Sequence, residues 1–138
     1  MSLNDFLDKI KESGGRITKT RKAIFEIMLS CNRPLSAADI LSCLKKRKLP
    51  VNRSTIYREL CYLAQNGFVR EVHFIGKPSL FELSHEHYHH LICVKCDGVK
   101  SVVLGKHLDN HEKKIMKDER FKITGHSLEF YGLCEKCQ

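Results

Sequence analysis

The sequence predicts an α+β protein, with an N-terminal winged helix-turn-helix domain over residues 1–84 and a small α/β domain over residues 85–138. Three observations carry this expectation. Apolar residues at helical spacing fill the first half of the chain and give way to an alternating hairpin. Residues 1–84 hold 15 Lys/Arg against 8 Asp/Glu, a net +7, whereas residues 85–138 hold 9 against 8, a net +1. Histidine runs the other way: His73 alone precedes residue 85, and seven follow. The first part suits a polyanion and the second a metal ion, with lysines on a solvated face as the alternative for the first.

The first helix carries Leu3, Phe6, Leu7 and Ile10 on one stripe and stops at Gly14-Gly15. A second follows in RITKTRKAIFEIMLSC, with Arg16, Lys19, Arg21 and Lys22 crowding its first turns. A helix N-terminus is positive and ordinarily attracts acids, so cations clustered there point to nearby phosphates or to a plain solvated face. Ser36-Ala-Ala-Asp39 then reads as a capping box with Asp in place of Glu, opening a helix to about Lys46. The basic run Lys45 to Lys48 and Pro50 end it.

Asn52 opens a fourth helix, RSTIYRELCYLAQ, with Ile56, Leu60, Leu63 and Ala64 inward and Asn66-Gly67 at its close. Its early outward positions are Arg53, Ser54, Thr55, Tyr57 and Arg58. Hydroxyls, a phenol and guanidinium forks are the groups that reach phosphates and base edges in a major groove. Surface filling and a local ion pair are the plainer readings of Tyr57 and Arg58. Phe68 to Phe74 and Ser79 to Leu83 alternate as two strands around Gly76-Lys-Pro78. Helices followed by this hairpin give the winged helix-turn-helix order.

The second part is organised around Ser84 to Cys96, SHEHYHHLICVKC, and ends in CEKC. Cys93 with Cys96, and Cys134 with Cys137, form two Cys-x-x-Cys pairs, enough for a closed tetrahedral zinc site. Disulfides or buried thiols are the alternative, and a reducing compartment disfavours the former. The imidazoles beside the first pair suggest a second, more exchangeable site. Short strands are expected at His90 to Val94 and Val99 to Leu104, a helix from Gly105 to Lys117, and a long strand from Phe121 to Phe130. Cys31, Cys43 and Cys61 fall on helical stretches and read as small core residues.

No apolar run reaches the ~20 residues of a membrane span, and MSLNDFLDKIKESGG lacks a signal-peptide core, so a cytoplasmic protein is expected. An enzyme is not expected: a glycine-rich phosphate loop and a nucleophile elbow are both missing from the sequence. Glu86 and Glu112 are the remaining candidates for a base, and a solvated carboxylate is the plainer reading of each. No small-molecule substrate or membrane partner is indicated.

Together GGRITKTRKAI, STIYRELCYLAQNGFV, FEL, HYHHLICVKC and GHSLEFYGLCEKC resemble the ferric uptake regulator (Fur) family over about residues 14–137. The resemblance implies a homodimeric metal-dependent repressor, its C-terminal α/β domain serving dimerisation, that binds a palindromic DNA operator and controls iron or zinc homeostasis. It implies a structural Zn2+ at Cys93, Cys96, Cys134 and Cys137. It implies a regulatory divalent ion, Fe2+ or Zn2+ with Mn2+ as a further option, at His87, His89, Asp109 and His126. DNA contacts would fall on Tyr57 and Arg58, and on Arg21 of the preceding basic helix.

A second, domain-bridging site matches only at Glu82 and His90, because Tyr88 replaces an expected histidine and the residue near Pro34 is not histidine. His73, His85 or Glu86 would have to complete it. The family's peroxide-sensing branch uses ligands that would fall on Pro34, Tyr88 and Ser101, none of which serves, so peroxide sensing is not expected. The implied mechanism is a population shift in which metal favours the arrangement that fits two recognition helices to one operator. The alternative function is a winged-helix DNA-binding protein with structural zinc only.

Overall fold

A computed structural model describes residues 1–84, 87–105 and 107–138, with His107 by its backbone alone. His85 and Glu86, weighed above as replacement ligands, lie outside the described residues. The chain divides into two compact units, Met1–Glu86 and His87–Gln138.

The first unit runs α1 (Leu3–Glu12), α2 (Lys19–Ser30), β1 (Leu35–Ser36), α3 (Ala37–Lys46), α4 (Arg53–Gln65), β2 (Val69–Val72) and β3 (Leu80–Leu83). Side chains that accept from the backbone three residues on fix the helix starts. Ser2 and Ser36 each form a complete capping box, with Asp5 and Asp39 reaching back to the cap backbone. Thr18 caps α2 and Asn52 caps α4. α4 ends where Gly67 adopts φ +72°, the left-handed conformation a residue with Cβ resists, and Phe68 N–H returns to Leu63 C=O at 2.9 Å.

The core lies among these helices. Phe6 stacks on Phe25 with ring centroids 3.7 Å apart and meets Phe68 edge-on at 4.9 Å. Ile24, Ile40, Leu44, Ile56, Leu60 and Leu63 are fully buried around them. The wing is a three-stranded antiparallel sheet in the order β1-β3-β2. Its short edge strand β1 was not foreseen from the sequence, because two residues carry no alternation; pairing of Leu35 with Phe81 defines it.

The second unit contains β4 (His89–Cys93), β5 (Val99–Val102), α5 (His107–Asp118) and β6 (Glu129–Gly132). Its sheet has the order β5-β4-β6, antiparallel between β4 and β5 and parallel between β4 and β6. The expected strand from Phe121 to Phe130 is shorter than the sequence suggested. Only Glu129–Gly132 pairs, opposite His90 to Cys93 on the five-residue β4, and residues 121–128 have no ladder. Alternation expresses a half-buried face, but a strand also needs a neighbour for its backbone groups.

Candidate metal centre and nucleic-acid face

The cysteine site is assembled at one end of the second sheet. β4 delivers Cys93, and a tight turn in which Asp97 adopts φ +61° swings Cys96 beside it. Because Cys93 lies opposite Gly132 in the parallel β4–β6 pair, the residues after β6 arrive at the same end with Cys134 and Cys137. All four sulfurs lie within 4.8 Å of one another. A tetrahedral zinc site with ~2.3 Å arms has edges of about 3.8 Å. Cys96 Sγ and Cys134 Sγ stand 3.7 Å apart.

The electrostatics fit a cation as well as the distances do. Backbone N–H groups of Cys96, Cys134 and Lys95 point at the Cys93 sulfur and draw its thiol down to about 6. Cys137 is pushed up to about 12, first by hydrogen bonding with the Cys134 sulfur and then by burial. The cluster therefore accepts negative charge at one thiol and resists it at another until a positive ion neutralises the set.

A second cluster gathers His87, His89 and His126, again with ligand atoms all within 4.8 Å. The three rings touch pairwise: His87 meets His89 and His126 edge-on at 4.8 and 4.4 Å, and His89 stacks on His126 at 5.1 Å. His87 Nε2 and His126 Nε2 are 2.7 Å apart, a hydrogen-bond distance. Two nitrogens bound to one tetrahedral ion with ~2.0 Å arms would stand about 3.3 Å apart, so a small opening of the pair admits one. Neutral imidazoles suit zinc, iron and manganese alike, and the donor set does not rank them.

Asp109, expected as the fourth ligand, is not among the converging groups and is solvent-exposed in the first turn of α5. A carboxylate that meets the cluster belongs to Glu112, whose Oε1 contacts His126 Nδ1. Residues three apart share a helix face, so the motif identifies the correct face but not the turn that reaches the ring. That spacing was the one signal in the sequence for Glu112.

Glu82 and His90, the incomplete second set, are both buried, in the first and second units respectively. Arg70 takes the Glu82 carboxylate, with Nε and Nη2 each 2.6 Å from Oε1. A guanidinium thus supplies positive charge at one member of this set.

The residues expected to face DNA divide into two groups. Arg53, Ser54, Tyr57 and Arg58 are exposed on the first turns of α4, and Thr55 is half-buried beside them. Asn52 fixes that end by accepting from Thr55 N–H at 2.8 Å. Arg21 stands apart from this exposed group. Only 8 % exposed, it donates from Nε to Glu59 at 2.8 Å and from Nη1 to the Arg16 carbonyl, and stacks 3.6 Å from the centre of the Tyr62 ring. Its charge is spent inside the unit, whereas Arg16, Lys19 and Lys22 of the same basic cluster are exposed. Cys61 is likewise exposed rather than in the core, while Cys31 and Cys43 pack against it. Among the described residues, no helix is long and apolar enough to cross a membrane.

Comparison with known proteins agrees with this arrangement. Residues 12–131 match the model of the Ferric uptake regulator family. The ferric uptake regulation protein of Legionella pneumophila is 36% identical over 132 residues, covering 94% of this chain and 96% of that protein. The peroxide operon regulator of Bacillus subtilis is 30% identical, covering 98% and 92%. The crystal structure of the Vibrio cholerae ferric uptake regulator superposes with a TM-score of 0.75 at 30% identity, covering 91% of this chain and 96% of that one. The chain belongs to the ferric uptake regulator family and is a metal-responsive transcriptional regulator, not an enzyme.

Proposed function

We propose that the protein is a cytoplasmic repressor that binds a palindromic DNA operator as a homodimer when a divalent ion occupies His87, His89 and His126. The observation that carries this reading is the coexistence of two unlike donor sets in one small unit: one of four sulfurs at zinc spacing and one of three imidazoles. Thiolates make the closed, structural Zn2+ site, and neutral imidazoles make the exchangeable one for Fe2+, Zn2+ or Mn2+. Residues 1–84 act as the DNA-binding domain and residues 85–138 as the metal-binding dimerisation domain.

Dimerisation has support in the second unit's surface. Leu91 and Phe130, opposite each other in the β4–β6 pair, are both exposed, apolar surface of the kind a second copy covers. The exposed groups on α4 suit the major groove, and two such helices read half-sites ~34 Å apart. The bound ion stabilises the DNA-binding arrangement only to the extent that it binds that arrangement more tightly.

The test uses full-length protein carrying its cysteine-site zinc, stripped of exchangeable metal and reloaded with Fe2+, Zn2+ or Mn2+. A randomised duplex pool is selected against each form. Enrichment of palindromes only in a reloaded form supports the reading, and the ion effective at the lowest free concentration names the metal. Tyr57→Ala and Arg58→Ala should each weaken the selected duplex by about 1–3 kcal/mol. Equal selection with and without the second ion would leave a winged-helix protein with structural zinc only.

A further inference from the structure

Glu112 stands outside the ligand set implied for the histidine site, yet its carboxylate touches a member of it. α5 exposes His111, Lys113 and Lys114 to solvent but holds Glu112 half-buried, with 26% of its side-chain surface accessible. Its Oε1 meets His126 Nδ1, while His126 Nε2 faces His87 Nε2. A carboxylate only accepts, so the proton of the neutral His126 ring resides on Nδ1 and donates to Glu112. The lone pair of Nε2 is then turned toward His87 and the point where the three rings converge.

We propose that Glu112 is a positioning residue for the histidine metal site: it fixes the tautomer and ring orientation of His126. This rests on the reading that His87, His89 and His126 hold the exchangeable ion. The two nitrogens of an imidazole point in divergent directions, so a group on Nδ1 lies outside the shell of an ion on Nε2. Glu112 acts through His126 rather than by ligation. Partners of this kind typically contribute 10- to 100-fold in metal affinity. Their lever is orientation: an imidazole held by its far edge need not choose its ring angle or its tautomer when the ion arrives.

The experiment titrates Zn2+ into the full chain, already loaded at the cysteine site, against a chromophoric chelator. Glu112→Ala, Glu112→Gln and His87→Ala are compared with the parent chain, and the tautomer of His126 is read from imidazole 15N resonances before the second ion is added. The parent should show the Nδ1–H form. Glu112→Ala should weaken the second ion roughly 10- to 100-fold and shift His126 toward Nε2–H. Glu112→Gln, whose amide oxygen still accepts but carries no charge, should keep the tautomer and lose only part of the affinity.

Retention of the first zinc in every variant shows that the unit is folded. If His87→Ala leaves the second ion in place, the site reading itself fails. If His87→Ala abolishes it while Glu112→Ala changes neither affinity nor tautomer, this inference alone is overturned. A changed Co2+ absorption spectrum in the second site of Glu112→Gln would make Glu112 a ligand, and would also overturn it.

Discussion

The two units of this chain are held together by different means. In the first, eighteen buried apolar residues form one cluster, from Phe6 on α1 to Leu83 on β3. In the second, Ile92 and Cys93 are the buried hydrophobic residues among those described, and the other buried groups there are His89 and His90. A unit of 52 residues with so little apolar interior lies in the size range where metals or partner subunits ordinarily complete the fold. The first unit is stabilised by burial before it meets its ligand. The second instead carries two donor sets at which metal ions would supply the stability its small interior lacks.

The sharpest way to break this comparison is to remove one sulfur. Cys134→Ser should release the structural zinc, whose binding contributes about 10–16 kcal/mol in small zinc domains. Amide exchange should then accelerate throughout β4, β5 and β6 while the α1–α4 amides stay protected. Uniform loss of protection across both units would contradict the division.

A smaller effect, confined to the first unit, is expected from Arg21→Met. The Arg21–Glu59 pair has side-chain exposures of 10% and 13%, so removing the cation leaves a nearly buried carboxylate. Breaking such a pair costs about 3–5 kcal/mol, readable as a lower denaturant midpoint with zinc content unchanged. Pairing Arg21→Met with Glu59→Met should recover much of that loss.

The smallest effect is expected at a helix cap. Ser36→Ala should cost about 1 kcal/mol, measured by chemical denaturation. Its partner supplies a pH signature. Burial alone would raise the Asp39 carboxyl, but hydrogen bonds from the Ser36 backbone and hydroxyl outweigh it, helped by Arg33, and hold it below its ordinary 3.8. The ionised form is favoured in the fold, so this contribution is complete above about pH 4 and is lost as acid carries the pH below the ordinary value. Ser36→Ala should flatten that part of the acid-denaturation curve, which direct comparison with the parent chain will show.

Much of this was legible in the sequence where the determinant is local. Ser36 and Asp39 are three residues apart, Asn66-Gly67 closes its own helix, and each Cys-x-x-Cys pair contains its geometry within four residues. The departures arise where a distant partner decides. Arg21 reads like its neighbours Lys19 and Lys22, and only Glu59 and Tyr62, far along the chain, make it interior. β1 exists because Phe81 and Leu80 pair with it. Asp109 and Glu112 share a helix face, and the position of His126 selects between them.

The back of α4 carries a consequence for redesign. Tyr62 stacks on Arg21, and its hydroxyl approaches Gly15 so closely that a Cβ there would collide with it. Ile56, Glu59, Leu60, Tyr62 and Leu63 therefore belong to the scaffold, while the exposed residues Arg53, Ser54, Tyr57 and Arg58 present the variable face. A new DNA sequence preference is best grafted by exchanging exposed residues among 53–58. Transplanting the whole helix from another regulator would bring its specificity at the expense of the clamp that aims it.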